Sequence, residues 1–341
     1  MGANISSEAE NITPPTSENM QKESIDQHPP NTPTSPTSRS IELKNTNNKE
    51  ENTKYAIPQD VKQKSSQEIL HYLLRYLAQG IFLSPIQQQL KAEENNDNNS
   101  LQILDFNCGS MGTWAKEIAL EFPQTQVIGV VIKDDEIPSK SSDEESTLSN
   151  LKFIKHNLSS SGEMENRRLP FADSTFDFVH SRFLLRQIKE GDIEHTVITE
   201  LVRVTKPSGY IELVECDVRH FSDGPSTRKL TNAMLDYLNL KGHNGQLSEN
   251  LARYLHQTSQ VGDITQHDKA IPLGHWAGQV GELAIQSLTG FFRETTGLPA
   301  SMKISSVQFQ ELLSAYRQEV EIKRTFVKAR WLYTQKLSSG K

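Results

Sequence analysis

One short stretch, LDFNCGSMGTW at residues 104–114, combines a carboxylate with small residues and hydrogen-bonding side chains. Asp105 lies near the end of an apolar run, and two glycines follow it. A carboxylate followed by glycines lets the chain turn tightly around a nucleoside-like ligand, because backbone N–H groups stay accessible. The stretch therefore predicts a ligand-binding turn, although Asp105 could also cap a turn and the cysteine could simply pack. The candidate binding residues are Asp105, Asn107, Cys108, Gly109 and Gly112.

A second stretch, VIGVVIKDD at residues 127–135, bears on the same ligand. Nucleotide-binding α/β domains place a carboxylate at the end of their second strand, where it accepts hydrogen bonds from a ribose. Val131 occupies that position here, and a valine side chain accepts none. Asp134 or Asp135 could reach back to the ligand, or both could belong to a solvated acidic loop that continues through SSDEES.

The elements around these stretches alternate between strand and helix patterns. Short apolar or β-branched runs predict buried parallel strands, and apolar residues at helical spacing lie between them. Such alternation implies right-handed crossovers and an α/β fold with a doubly wound, mostly parallel sheet. Ligands bind such sheets beyond the carboxyl ends of the strands, where residues 104–114 lie. The predicted strands are residues 101–106, 126–132, 151–154, 176–180 and 210–214, and the predicted helices are 65–79, 114–122 and 193–205.

The composition argues against several function classes. The chain has 36 Lys and Arg residues against 43 Asp and Glu residues, which argues against a nucleic-acid partner because phosphate binding needs a local basic excess. Cys108 and Cys216 have neither metal-ligand nor disulfide-framework spacing, so we expect no metal site and a reducing compartment. No HExxH or GxSxG motif indicates a hydrolase, and no GxGxxG turn indicates a dehydrogenase.

The amino-terminal segment, residues 1–54, contains few aromatic or aliphatic residues. Such a segment cannot bury enough apolar surface to offset its loss of conformational entropy, so we predict a disordered polar tail. The chain shows no membrane-length apolar run and no secretory signal, so we expect a cytoplasmic or nuclear protein. MGANIS at residues 1–6 fits the pattern for myristoylation of Gly2, which would give weak membrane contact, and a chance match explains it equally well.

Three landmarks occur in the order found in one enzyme family: the turn at residues 104–114, LPFADSTFDFVHSR at 169–182 and ELVRVTKPSGYIELVE at 200–215. Together they resemble the class I S-adenosylmethionine-dependent methyltransferases. Two distal stretches, AIPLGHWAGQVG at 270–281 and EVEIKRTFVKARWLYTQK at 319–336, resemble the fungal branch that includes the LaeA-like regulators of secondary metabolism.

This resemblance implies a Rossmann-like methyltransferase fold with an added helical cap. Its sheet has seven strands, the last of which is antiparallel and inserted beside the fifth, here at residues 326–334. Helices between residues 274 and 321 would cap the substrate side. The implied domain, residues 55–336, divides into a helical segment at 55–100, a cofactor-binding core at 101–216, and cap helices with the last strands at 217–336, followed by a tail at 337–341.

The resemblance also implies S-adenosyl-L-methionine as the cofactor and gives roles to individual residues. Asp105 would receive the amino end of the methionine portion, and Gly109 would allow close backbone approach. Asn157, after the third strand, would meet the adenine amino group, although it could instead cap a turn. Residues 181–185 would line the acceptor side of the pocket. Candidate bases for the acceptor are His180, Glu215 and His275, each of which could equally have a structural role.

The turn departs from the family pattern at two glycine positions, which Asn107 and Met111 occupy. Asparagine tolerates a left-handed backbone, and Gly112 could take the third glycine's place if the loop bulges by one residue. Two hypotheses follow. The first is a methyltransferase that acts on a small molecule or a protein side chain. The second, which Val131 favours, is a catalytically silent scaffold or a regulatory binding protein.

Overall fold

The computed structural model describes residues 54–92, 100–132, 138, 148–158 and 167–338. The predicted disordered tail, Gly2 included, lies outside these ranges except for Lys54. Asp134 and Asp135 also lie outside the described residues. Within the described ranges, no helix is long and apolar enough to span a bilayer.

Seven strands of the described chain form one sheet. They are β1 Gln102–Phe106, β2 Gln126–Val131, β3 Leu151–Lys155, β4 Phe176–Arg182, β5 Thr205–Phe221, β6 Thr265–Pro272 and β7 Phe326–Gln335. Their spatial order is β3-β2-β1-β4-β5-β7-β6. Strand β7 runs antiparallel between β5 and β6, and the pairs from β3 to β5 are parallel. The sheet confirms the predicted α/β class and the position of the antiparallel last strand.

The sheet register brings the predicted turn to the centre of the sheet. In β1, Asp105 pairs with Gly129 of β2 on one side and with His180 of β4 on the other. Because these three strands are parallel, their carboxyl ends meet at the same edge. The turn after β1 therefore lies at the crevice where chain order reverses, which is the usual ligand position in such sheets.

The longer helices flank the sheet. The first begins with a capping box, in which the Ser65 side chain accepts a hydrogen bond from the Glu68 backbone, and it ends before Gln79, whose backbone is left-handed. A π-helical turn at Ile193–Val197 precedes the third helix, so the predicted helix at 193–205 is present but irregular at its start. These helices are α1 Ser66–Ala78, α2 Thr113–Glu121, α3 Ile198–Val204, α4 Pro225–Leu240, α5 Leu251–Gln257, α6 Gly278–Glu294 and α7 Ser306–Lys323.

Two strands differ from the sequence-based predictions. Strand β5 continues to Phe221, well beyond the predicted end at Val214, because its second half pairs with β7. Strand β6 was not located from the sequence, since TQHDKAIP lacks alternation of apolar and polar residues. It lies at the edge of the sheet, and Ile271 is its buried hydrophobic side chain. Because both faces of this strand are largely exposed to solvent, it needs no alternating apolar pattern.

The core lies on both faces of the sheet because consecutive side chains of a strand point to opposite sides. Ile103 of β1 packs with Trp114 and Ile118 of α2 in one buried cluster. Leu104, its neighbour in sequence, belongs to the other cluster, together with Leu73 of α1 and further residues from α6. The two clusters thus place the side chains of Ile103 and Leu104 on opposite faces of the sheet.

Strand β5 carries a fully buried carboxyl group, Glu212, in the middle of the sheet. Its Oε2 accepts hydrogen bonds from the backbone N–H groups of Leu83 at 2.9 Å and Ser84 at 2.6 Å. Burial raises the pKa of Glu212 to about 7, because the interior disfavours the charged form. The folded protein therefore holds this proton more tightly than the unfolded chain does, and stability falls as pH rises from about 4.5 through 7.

Replacing Glu212 by Gln removes the charge and keeps an oxygen to accept both N–H groups. From pH 5 to pH 8, we expect the unfolding free energy of the unmodified chain to fall by about 2 to 3 kcal/mol relative to that of the variant. One pKa unit corresponds to about 1.4 kcal/mol. Urea unfolding of both proteins at the two pH values measures this difference. Parallel pH dependences would show that the pKa of Glu212 is not raised in the fold.

Candidate cofactor site

The turn after β1 is built from left-handed backbone conformations. Asn107 has φ +63°, Gly109 has φ +70° and Gly112 has φ +57°. The left-handed Asn107 agrees with the tolerance expected of asparagine at the first glycine position. Met111 is not left-handed and exposes 45% of its surface, so Gly112, one residue later, supplies the last left-handed position. The turn thus accommodates the departures from the glycine pattern by local backbone adjustment.

Asn107 also connects two strands. Its Nδ2 donates hydrogen bonds to the carbonyl oxygens of Arg182 at 2.8 Å and Phe183 at 3.3 Å, at the end of β4. On the other side, the Cys108 N–H donates to the carbonyl oxygen of Val130 in β2 at 3.0 Å. The turn is therefore fixed to both neighbouring strands, and a glycine at position 107 would lack the first of these connections.

Gly112 has a packing role as well as a backbone role. A Cβ atom at this position would lie 2.4 Å from Cζ of Phe153 in β3, closer than any real contact. Gly129 meets the same ring, with a Cβ distance of 2.5 Å to Phe153 Cδ1. The two glycines let the Phe153 ring pack against the turn, so their small size is required by the β2–β3 side of the site.

The Asp105 carboxylate is buried against an aromatic stack. Its Oδ1 lies 3.1 Å from Nδ1 of His180, whose ring stacks on Trp114 with centroids 3.7 Å apart. Burial lowers the pKa of His180 to about 4, although the neighbouring carboxylate acts in the opposite direction. The ring is therefore neutral at pH 7, and a proton on Nδ1 satisfies Oδ1. Asp105 Oδ2 has no hydrogen-bond partner among the described residues.

A second polar chain lies next to this stack. Arg182 Nη1 is 3.0 Å from Nδ1 of His71 in α1. A guanidinium can only donate, so Nδ1 accepts and the neutral ring carries its proton on Nε2, which lies 3.0 Å from Glu117 Oε2. Glu117 in turn accepts a hydrogen bond from Arg75 at 2.6 Å. Burial lowers the pKa of His71, so this neutral form holds at pH 7. The chain connects α1 and α2 to the end of β4.

A cavity of about 140 Å³ opens at the carboxyl ends of β1, β4 and β5, beneath α1 and α6. One water molecule needs about 10 to 15 Å³ on this measure, so the cavity is large enough for an organic ligand. Three predicted cofactor residues line it, namely Asn107, Cys108 and Gly109. Asp105 and Gly112 do not line it; Asp105 lies buried at the start of the turn, and Gly112 packs on Phe153.

The predicted ribose and adenine positions lie apart from this cavity. Val131 is completely buried at the end of β2 and presents no hydrogen-bond acceptor. Asn157 follows β3 on the surface and does not line the cavity. Of the residues predicted for the methionine end, Gly109 lines the cavity and Asp105 lies buried behind the turn, whereas Asn157 lies apart from both.

Of the residues predicted for the acceptor side and the candidate bases, some line the cavity and others do not. Of residues 181–185, the cavity wall includes Arg182, Phe183 and Leu185, whereas Ser181 and Leu184 are buried elsewhere. Glu215 lies on the wall. His180 is the stacked partner of Asp105 and does not line this cavity. The His275 side chain is 65% exposed and contacts Glu321 at 2.9 Å, away from the cavity.

Sequence reasoning missed the helical wall of the cavity. Gln67 and His71 of α1 and Ser287 and Phe291 of α6 line it, although neither helix carries a recognisable binding motif. A buried histidine on the apolar face of an amphipathic helix, here His71, was the signal available in the sequence.

Replacing Gly112 by Ala would force a Cβ into the Phe153 ring and strain a left-handed backbone. We expect the unfolding free energy to fall by more than about 1 kcal/mol, as measured by urea unfolding followed by circular dichroism. Gly191→Ala is the matched control, because a Cβ there meets nothing within 4 Å and φ is not positive. That variant should be unchanged or slightly more stable. Equal destabilisation by both substitutions would contradict the packing role of Gly112.

Comparison with known proteins finds methyltransferase sequences similar to the part of the chain that contains the turn. Residues 103–209 match the family described as "Methyltransferase domain". The secondary metabolism regulator laeA of Coprinopsis cinerea is 26% identical over 163 residues, 48% of this chain and 36% of that protein. The methyltransferase str3 of Strobilurus tenacellus is 22% identical over 176 residues, 50% of this chain and 57% of that protein. The chain thus spans less than two thirds of the length of either relative.

A solved structure with similar topology is phosphoethanolamine N-methyltransferase 2 of Haemonchus contortus in complex with S-adenosyl-L-methionine. It is 18% identical with a TM-score of 0.45, and the match covers 82% of this chain and 59% of that one. The matched segment, residues 103–209, contains β1, the left-handed turn and β4 of the site. Residues 103–209 are thus similar to methyltransferase domains, and a LaeA-like protein is among the relatives of this chain.

Proposed function

We propose that the protein is a methyltransferase that uses S-adenosyl-L-methionine and transfers its methyl group to a small-molecule or protein acceptor. One observation carries this proposal: the left-handed turn after β1 lines a ligand-sized cavity at the carboxyl edge of a sheet with methyltransferase topology. The family match and the name of the str3 relative support it. The activity would take place in the cytoplasm or nucleus, and Gly2 myristoylation stays a prediction.

The residues at the turn fit the methionine end of the cofactor. Asp105 Oδ2 is buried without a hydrogen-bond partner among the described residues, and a buried carboxylate oxygen is costly unless a donor reaches it. An ammonium group, directly or through a bridging water, would supply that donor. At Gly109 the nearest atom to an added Cβ is Gln67 Oε1 at 3.7 Å, so space over the backbone is open. The guanidinium of Arg182, on the cavity wall, would pair with the carboxylate.

The nucleoside end fits less well. Val131 supplies no acceptor for the ribose hydroxyls, and Asn157 would have to be approached outside the cavity. Loss of such hydrogen bonds costs about 1 to 3 kcal/mol, which corresponds to roughly ten- to hundredfold weaker binding. We therefore expect cofactor affinity below that of a methyltransferase with an acidic residue at this position.

The chain's own contribution to the reaction would be alignment and exclusion of water. The cofactor, when bound, supplies an activated methyl group and its own leaving group, so the protein needs to hold the acceptor in line with it. Helices α1 and α6 cover the cavity and limit its access to solvent. Asn107 holds the turn against β4, which fixes the methionine end relative to the acceptor side.

A catalytically silent scaffold is the second candidate function. Val131 and Asn157 favour it, because neither provides the ribose and adenine contacts that the family resemblance implies. A scaffold would retain the sheet and the helical layers but would not bind the cofactor. The two functions therefore differ first in cofactor binding, before any acceptor is known.

Calorimetric titration of the full chain with S-adenosyl-L-methionine and S-adenosylhomocysteine tests the proposal. We expect micromolar affinity, and Asp105→Asn should weaken it about tenfold or more because the variant keeps an oxygen for His180 but loses the charge. Asp236→Asn is the control, since Asp236 is exposed on α4. No heat with either ligand at millimolar concentration would refute the methyltransferase and favour the scaffold. Equal affinity of both variants would refute the role of Asp105.

A further inference from the structure

The cavity continues past the turn into an apolar region. Val218 of β5, Ile271 of β6 and Val327 of β7 line this part, and Val327 pairs directly with Ile271. Helix α6 supplies further apolar side chains. We call this region the apolar compartment; its wall includes Leu70, Leu185, Val218, Leu273, Ala284 and Phe291.

Helices α1 and α6 close the compartment on its outer side. Ser287 Oγ donates a hydrogen bond to the Ser66 carbonyl oxygen at 2.7 Å, and Lys62 Nζ lies 2.8 Å from Glu282 Oε2. At Gly290 an added Cβ would lie 1.9 Å from Ser66 Oγ, so the Ser66 side chain of α1 packs directly on the Gly290 backbone of α6. The helix pair covers one side of the compartment, and the opening that remains suits a small molecule better than a folded protein surface. The acceptor that fits is a small molecule.

Glu215 is a carboxyl group on this wall that forms no ion pair within the described part of the chain. Glu215 is buried, and its Oε2 and Oε1 accept hydrogen bonds from the backbone N–H groups of Leu185 and Cys216, each at 3.1 Å. The neighbouring charge that acts on it is the like charge of Asp217. Burial, with a smaller contribution from Asp217, raises the pKa of Glu215 to about 8. A carboxyl group whose pKa lies this close to neutral pH can exchange a proton with a bound ligand, which it accepts when it is ionised.

The remaining charges on the wall indicate which acceptor would bind. Arg182 and Arg186 both line the cavity, and the Arg186 guanidinium lies 4.6 Å from the ring centre of Phe291. The acidic residues Glu68 and Asp217 also line the cavity. Because a cation already lies by the Phe291 ring, this aromatic face does not favour a cationic ligand. A neutral amine attacks with its own lone pair, whereas a hydroxyl group is a weak nucleophile until it loses its proton. Glu215 is therefore useful for a hydroxyl acceptor.

We propose that the apolar compartment binds a neutral small molecule bearing a hydroxyl group, and that Glu215 accepts the hydroxyl proton as that oxygen is methylated. The inference rests on the proposed methyltransferase function. The oxygen–carbon bond forms as the O–H bond breaks and its proton moves to the Glu215 carboxylate. The carbon–sulfur electron pair remains on sulfur, which leaves as a neutral thioether. No oxidant, reductant or further reactant is needed.

Binding of 4-nitrophenol and its methyl ether, 4-nitroanisole, to the full chain with S-adenosylhomocysteine tests this site. Both probes are flat, apolar and small, and only the phenol can donate a hydrogen bond. We expect Glu215→Gln to weaken 4-nitrophenol binding about tenfold or more, because a charge-assisted hydrogen bond is lost. Binding of 4-nitroanisole should be the same in both proteins. The absorption of bound nitrophenolate, measured as a function of pH, should differ between the two proteins, because Glu215 exchanges the same proton and glutamine cannot.

Glu212→Gln is the matched control, since it is the same substitution on the same strand and Glu212 does not line the cavity. It should leave 4-nitrophenol binding unchanged within about twofold. Thermal unfolding of both variants verifies that they are folded. Absence of 4-nitrophenol binding to the unmodified chain, or equal affinity in Glu215→Gln, would overturn the proposed site. Equal nitrophenolate absorption in the two proteins would overturn the proton-accepting role.

The same titrations separate this inference from the proposed function. Glu215-dependent binding of 4-nitrophenol without any binding of S-adenosylhomocysteine or S-adenosyl-L-methionine would overturn the methylation step and retain a hydroxyl-binding compartment. Binding of both nucleosides without 4-nitrophenol binding would leave the methyltransferase standing and overturn the compartment as a hydroxyl site.

Discussion

The buried carboxylate of Asp105 is the group on which the site depends. A charge at the end of a central strand is tolerated because His180, on the adjacent strand, donates to one of its oxygens. Trp114 covers the histidine ring and keeps water away from this pair. The other oxygen stays unpartnered among the described residues, so the fold retains an unsatisfied acceptor next to the turn. Such a group is costly in a core without a purpose, and at a ligand site it is a means of attracting a cation.

The turn and the end of β4 act as one unit. Asn107 replaces a glycine of the family pattern, yet its left-handed backbone preserves the path and its amide adds bonds to the β4 end. Arg182, the residue bonded in this way, extends through His71 to α1. A change at the turn would therefore reach the helix that covers the cavity, because each contact in this chain is a direct hydrogen bond.

Strand β5 shows how position decides the behaviour of identical side chains. Glu212 and Glu215 are both buried, both accept two backbone N–H groups and both have raised pKa values. Glu212 faces the segment before β1 and has a structural environment, whereas Glu215 faces the cavity. Burial of either carboxyl group without a compensating positive charge lowers stability at neutral pH. Of the two, only Glu215 lies where it could exchange a proton with a ligand.

The sequence by itself determined the α/β class, the turn after β1 and the approximate limits of most strands, because these features depend on neighbouring residues: apolar runs, helical spacing, and residue types that tolerate a left-handed backbone. The place of the antiparallel β7 followed from the family resemblance. The sequence did not determine β6, whose solvent-exposed faces leave no apolar pattern, or which of Glu215, His180 and His275 lines the cavity. Those outcomes depend on contacts between distant positions, such as His71 with Arg182 and Ser66 with Ser287. Only the tertiary structure decides burial, and burial sets which carboxyl group keeps its proton and which histidine stays neutral.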